Sequence, residues 1–80
     1  MRQLTLYIRP GCHLCEDMLT QLQSIDGADS FQLQLVEIDA DAALRARYDT
    51  RVPVLVGSDG ELLSEYFLDE IGLRNYLNGG

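Results

Sequence analysis

The stretch Leu4-Thr5-Leu6-Tyr7-Ile8-Arg9-Pro10-Gly11-Cys12-His13-Leu14-Cys15 holds a strand, a stop and the start of a helix. Leu4, Leu6 and Ile8 alternate with Thr5 and Tyr7, which is the period of a strand, and Pro10-Gly11 ends it. Both faces of such a strand can be covered. Beyond the stop, Leu14, Met18, Leu22 and Ile25 recur at helical spacing with Cys15 and Leu19 beside them, predicting a helix from about Cys12 to Ser24. Asp26-Gly27-Ala28-Asp29 breaks that helix.

Working outward, Phe31 to Ile38 reads as a second strand with a conflict of phase. Phe31, Leu33 and Leu35 fall on one face and Val36 and Ile38 on the other. A bulge or a late start reconciles them, and the late start is the expectation. Asp39 or Asp41 is placed to cap a short helix through Ala42, Leu44 and Tyr48, because a carboxylate accepts the unpaired N–H groups of a first turn. Pro53 follows. Val54-Leu55-Val56, the turn Gly57-Ser58-Asp59-Gly60 and Glu61-Leu62-Leu63 predict an antiparallel hairpin. A last helix, capped by Asp69, carries Ile71, Leu73, Tyr76 and Leu77 and stops at Gly79-Gly80, with Gly72 weakening it by about 1 kcal/mol relative to Ala. The order βαβαββα defines an α/β fold: a four-stranded mixed sheet flanked by three helices, with the first two strands parallel.

The chain of 80 residues is expected to be one domain, 1–80, with one shared core, since a chain this short buries only about 60–65% of its unfolded surface. Its net charge is −7, and its six basic residues are all arginine. Binding to a phosphate backbone needs a positive footprint, so nucleic acid is not expected as a partner. The acidic surface favours partners with basic docking patches. Its apolar runs fall far short of the ~20 residues that span a membrane, so no membrane association is expected, and the expected location is the cytoplasm. A monomer is the expected state.

In a reducing compartment a single close cysteine pair reads as catalytic, redox-sensing or metal-binding rather than as a staple. Closing so short a loop also constrains little of the unfolded chain. Cysteine reacts as the thiolate, and a helix start supplies unpaired N–H groups and a dipole that favour negative charge. Cys12 falls at that start, whereas Cys15 lies three residues on, on the same face and deeper in the helix. Cys12 is therefore the candidate nucleophile and Cys15 the resolving thiol of a disulfide exchange.

Other readings of the same residues stand beside this one. Cys-x-x-Cys is also a metal-ligand spacing and His13 adds a nitrogen, but two cysteines and one histidine are too few for a closed tetrahedral site within one chain. No metal site is expected. A metal or iron–sulfur carrier would need a dimer or carboxylates, and a further alternative is a binding module whose pair only senses redox state. Protonated His13 would help to hold a thiolate at Cys12; otherwise it is an exposed side chain of the first turn. Arg9 either adds a fixed positive charge near the sulfur, or binds a substrate carboxylate, or is an ordinary strand-end arginine. A cis Val52-Pro53 bond would free the backbone of Val52 to pair with an extended substrate, whereas a proline at a strand start is more often trans.

Tyr7-Ile8-Arg9-Pro10-Gly11-Cys12-His13-Leu14-Cys15, followed by Arg51-Val52-Pro53-Val54-Leu55-Val56, resembles the glutaredoxin branch of the thioredoxin superfamily, most of all its short bacterial glutaredoxin-like proteins. The resemblance implies a thioredoxin-like fold and a thiol-disulfide oxidoreductase with Cys12 as nucleophile and Cys15 as resolving thiol. It puts Arg9 at the family's basic position and Val52-Pro53 at its cis-proline site, and with His13 from the reading above the expected substrate-binding residues are Arg9, His13, Val52 and Pro53. It implies no bound cofactor, glutathione as a candidate reductant, and a disulfide-containing protein or small thiol as partner. Two features depart from the family pattern. His13-Leu14 stands where Pro-Tyr is usual, and Ser64-Glu65-Tyr66-Phe67-Leu68-Asp69 stands where a Gly-Gly-Asp segment lets glutathione approach the backbone. Tyr66 and Phe67 are read there as either core or groove wall.

Overall fold

A computed structural model describes residues 2–25 and 27–78. In chain order its elements are β1 (Arg2–Ile8), α1 (His13–Ser24), β2 (Phe31–Glu37), α2 (Ala42–Tyr48), β3 (Val54–Val56), β4 (Leu62–Glu65) and α3 (Glu70–Asn78), with 3-10 turns at Ala28–Ser30 and Ile38–Ala40. The strands lie in the order β2-β1-β3-β4. β1 runs parallel to β2 and antiparallel to β3, and β3 is antiparallel to β4. This is the thioredoxin-like α/β arrangement.

Alternation along β1 divides the core between two faces. Leu4 and Leu6 join Met18 and Leu22 of α1, Phe31, Leu55 and Leu73 of α3 in one buried cluster. On the other face Ile38, Tyr48, Val54 and Val56 gather with Cys15 and Val52. Tyr7 stacks on Tyr48 there, ring centroids 4.6 Å apart. β3 is thus covered on both sides, which explains its unbroken apolar run.

The second strand differs from expectation. β2 begins at Phe31 and pairs without a break from Arg2↔Phe31 to Ile8↔Glu37, so there is neither a late start nor a bulge. The phase conflict vanishes because Ile38 is not in the strand: it is buried in the 3-10 turn that follows. Leu35, at the sheet edge, is left 46% exposed, and that wasted apolar residue is what misled the pattern. The irregularity lies in the hairpin instead. Leu55 pairs with Ser64 but Val56 with Leu62, so Leu63 is the extra residue and β4 runs on to Glu65 rather than ending at Leu63.

Asp41, not Asp39, caps α2, accepting the N–H groups of Ala43 at 2.8 Å and Leu44 at 3.3 Å. Asp69 Oδ1 accepts the N–H of Gly72 at 2.9 Å in the first turn of α3. A Cβ at Gly72 would sit 2.5 Å from the other carboxylate oxygen, so the glycine leaves room for the cap and its propensity cost is offset there. The buried Ser64 hydroxyl in turn accepts the N–H of Asp69 at 2.9 Å, joining β4 to α3. The expected stop at Gly79-Gly80, and Asp26 of the break after α1, lie outside the described residues. Among the described residues no helix is long and apolar enough to cross a membrane.

Candidate active site

Gly11, at φ +75°, turns the chain from β1 into α1. An L-residue pays for that conformation, and since nothing lies within 4 Å of a Cβ placed there, the cost of a side chain is purely in the backbone. Gly11→Ala is expected to destabilise by about 1 kcal/mol and to lower the thermal midpoint by roughly 4–8 °C. A melting curve that does not move would mean that this turn is not held in the left-handed region.

The turn leaves Cys12 as the residue before α1, in extended conformation, with its Sγ accepting the backbone N–H of Cys15 at 3.2 Å. Sulfur therefore takes the place of the usual capping oxygen. Cys12 is half-buried, whereas Cys15 is 3% exposed and both are free thiols. Burial, first, and a side-chain hydrogen bond to Cys12, second, push the Cys15 thiol up to about 12, against an opposing hydrogen bond from the Arg9 backbone.

Val52 shares its buried apolar cluster with Cys15, and Pro53 follows it. The peptide bond between them is cis, Pro53 is fully buried, and Cys12 and Val52 pack about the same apolar cluster. Among the described residues neither backbone group of Val52 is hydrogen-bonded, while the Pro53 carbonyl accepts the N–H of Tyr66 at 2.9 Å. Arg51 donates to the Glu65 carboxylate alongside.

The other two residues singled out in the sequence stand differently. The Arg9 guanidinium lies 3.0 Å from Asp39 and 3.0 Å from Asp49, so the chain's own carboxylates hold it. The His13 side chain is 94% exposed, its Nδ1 3.4 Å from the Glu16 carboxylate one turn on. No three His, Cys, Asp or Glu side chains among the described residues are grouped to hold a metal ion.

Sequence reasoning left open what Tyr66 and Phe67 do. Tyr66 is the only non-glycine among the described residues at positive φ, +65°, and the Phe67 N–H donates to the Glu65 carbonyl at 2.6 Å. That bond closes a three-residue turn of the rare, strained kind. It holds Tyr66 41% and Phe67 72% exposed, and both line a groove of about 320 Å³ against Leu14, Asp17 and Met18 of α1. They form a groove wall, not core.

A β2-β1-β3-β4 sheet with a cysteine pair opening α1 and a proline at the start of β3 defines a thioredoxin-fold protein of the glutaredoxin kind. The chain belongs to the glutaredoxin-like domain family (DUF836), whose model matches residues 3–78. It is similar in structure to protein Ne2328 from Nitrosomonas europaea, with 39% identity over 96% of this chain and 92% of that one and a TM-score of 0.84. The X-ray structure of XcR50 from X. campestris is 38% identical over 96% of this chain and 97% of its own, with a TM-score of 0.73. No curated protein matches the chain.

Proposed function

We propose that this protein is a dithiol thiol-disulfide oxidoreductase in which Cys12 is the nucleophile and Cys15 the resolving thiol. The observation that carries this reading is the asymmetry of the pair: Cys12 is reachable at a helix N-terminus and Cys15 is buried beneath it. The Cys12 thiolate attacks one sulfur of a substrate disulfide, and the other sulfur leaves as a thiolate that takes a proton from solvent. Cys15 then loses its proton as its sulfur attacks Cys12 Sγ, expelling the second substrate thiolate. Two electrons have passed to the substrate, and a Cys12–Cys15 disulfide remains for an external thiol, glutathione or another dithiol, to reduce. The free backbone groups of Val52 support pairing with an extended substrate beside the sulfur, as a strand edge pairs with a peptide. A reducing compartment such as the cytoplasm suits such a cycle.

Equilibration of the purified protein against glutathione buffers tests the reading. A reversible two-electron transition with a Cys12–Cys15 disulfide is the expected result, and its midpoint tells whether the protein reduces or oxidises its partners. Failure of the pair to close, or thiols occupied by metal in anaerobically purified protein, would favour a carrier instead.

A further inference from the structure

We infer that the groove between α1 and the Tyr66–Phe67 turn receives the polypeptide flanking a substrate cystine, and that this polypeptide carries an apolar side chain beside a basic one. The inference rests on the oxidoreductase reading and names its substrate class: a protein disulfide of this chemistry in preference to a glutathione one. Three observations support it.

The first is the turn itself. A bulky residue at positive φ is costly, and such strain persists where surrounding structure enforces it. Here the enforcement is visible: the Tyr66 N–H is tied to the Pro53 carbonyl and the Phe67 N–H to Glu65. The result is an aromatic pair held towards solvent beside Leu14, which lies between the two cysteines. Tyr66 is 41% and Phe67 72% exposed, so the turn that strains Tyr66 adds little apolar burial to the core.

The second is space. The groove offers an apolar side chain contact with Leu14, Met18, Tyr66, Phe67 and Leu68, alongside the polar Thr20 and Gln21, and its lining begins at Leu14, two residues along α1 from Cys12. The third is charge. Asp17 stands in the groove lining and makes no ion pair among the described residues, and Glu16 is exposed next to it. Glutathione brings two carboxylates and one ammonium, so it needs cations. The arginines nearest in sequence to the cysteines and the proline, Arg9 and Arg51, are held by Asp39, Asp49 and Glu65. A basic side chain, by contrast, finds Asp17 waiting.

The test is stopped-flow release of 5-thio-2-nitrobenzoate from four mixed disulfides reacting with the reduced protein. They are a Leu-Cys-Arg peptide, its Leu-Cys-Glu counterpart, glutathione, and neutral 2-mercaptoethanol. Cys12 displaces the nitrobenzoate thiolate and forms the mixed disulfide with each, so the reaction read is the same. The basic peptide is expected to react about tenfold faster than the glutathione derivative. In Phe67→Ala the ratio of the basic-peptide rate to the mercaptoethanol rate falls by roughly tenfold. In Asp17→Lys the preference between the basic and the acidic peptide reverses. Equal or faster reaction of the glutathione derivative, or a peptide-to-mercaptoethanol ratio unmoved by Phe67→Ala, overturns the inference while leaving the oxidoreductase reading intact. No reaction even with the mercaptoethanol derivative overturns both.

Discussion

Cys12→Ser is expected to abolish disulfide exchange, lowering the rate against a small disulfide by on the order of a thousandfold, while Cys15→Ser completes one half-reaction and stops. The asymmetry follows from where the sulfurs lie. Cys12 meets solvent at the opening of α1, but Cys15 is 3% exposed and its thiol is pushed up to about 12, so at neutral pH almost none of it is the reactive anion. With Cys12 removed, the remaining sulfur is both hidden and protonated. With Cys15 removed, attack still proceeds, and the mixed disulfide that forms has no internal thiol to resolve it. Mass spectrometry of the Cys15→Ser protein after exposure to a disulfide should show one stoichiometric adduct on Cys12. Retained turnover in Cys12→Ser, or equal alkylation of both thiols in the native protein by brief treatment with iodoacetamide, would contradict the assignment.

The sequence made the line from Leu4 to Cys15 legible because each signal in it is local: alternation, a Pro-Gly stop, helical spacing. The same holds for Asp69 and Asp41 as caps, whose partners lie two or three residues away. What stayed hidden depends on contacts between distant residues. Arg9 meets Asp39 and Asp49 across 30 and 40 residues of chain: the pairing of β1 with β2 brings Asp39, in the turn after β2, and α2, stacked on β1 through Tyr7 and Tyr48, brings Asp49. Leu35 misled for a related reason. Alternation says which side a residue faces but not whether an edge strand is covered at that point. The Tyr66 turn is the extreme case: glycine or asparagine would have advertised a positive φ, and a tyrosine does not. The departure from the family's Gly-Gly-Asp segment pointed to the place, and the structure shows aromatic side chains turned outward there.

The buried thiol also ties stability to redox state, and alkaline pH exposes the link. In the folded, reduced protein Cys15 titrates at about 12 against an ordinary value of 9.0. Between those limits the unfolded chain has lost this proton while the folded chain keeps it. Unfolding therefore releases a proton, and raising the pH favours the unfolded state. The stabilisation is complete below about pH 9 and is lost as pH climbs towards the folded value, at on the order of 1.4 kcal/mol per pH unit. Urea unfolding at pH 8, 9, 10 and 10.5, with the thiols kept reduced, should show this decline relative to a Cys15→Ala variant, which is otherwise the same chain. The variant starts lower, since it loses buried sulfur from the cluster of Ile38, Tyr48 and Val54, but the difference between the two proteins should shrink as the pH rises. The disulfide form carries no proton on either sulfur and should likewise lack the decline. A difference that stays constant across this range would mean that Cys15 ionises in the folded protein as it does in the unfolded one, and any protection of this thiol would have to come from geometry alone.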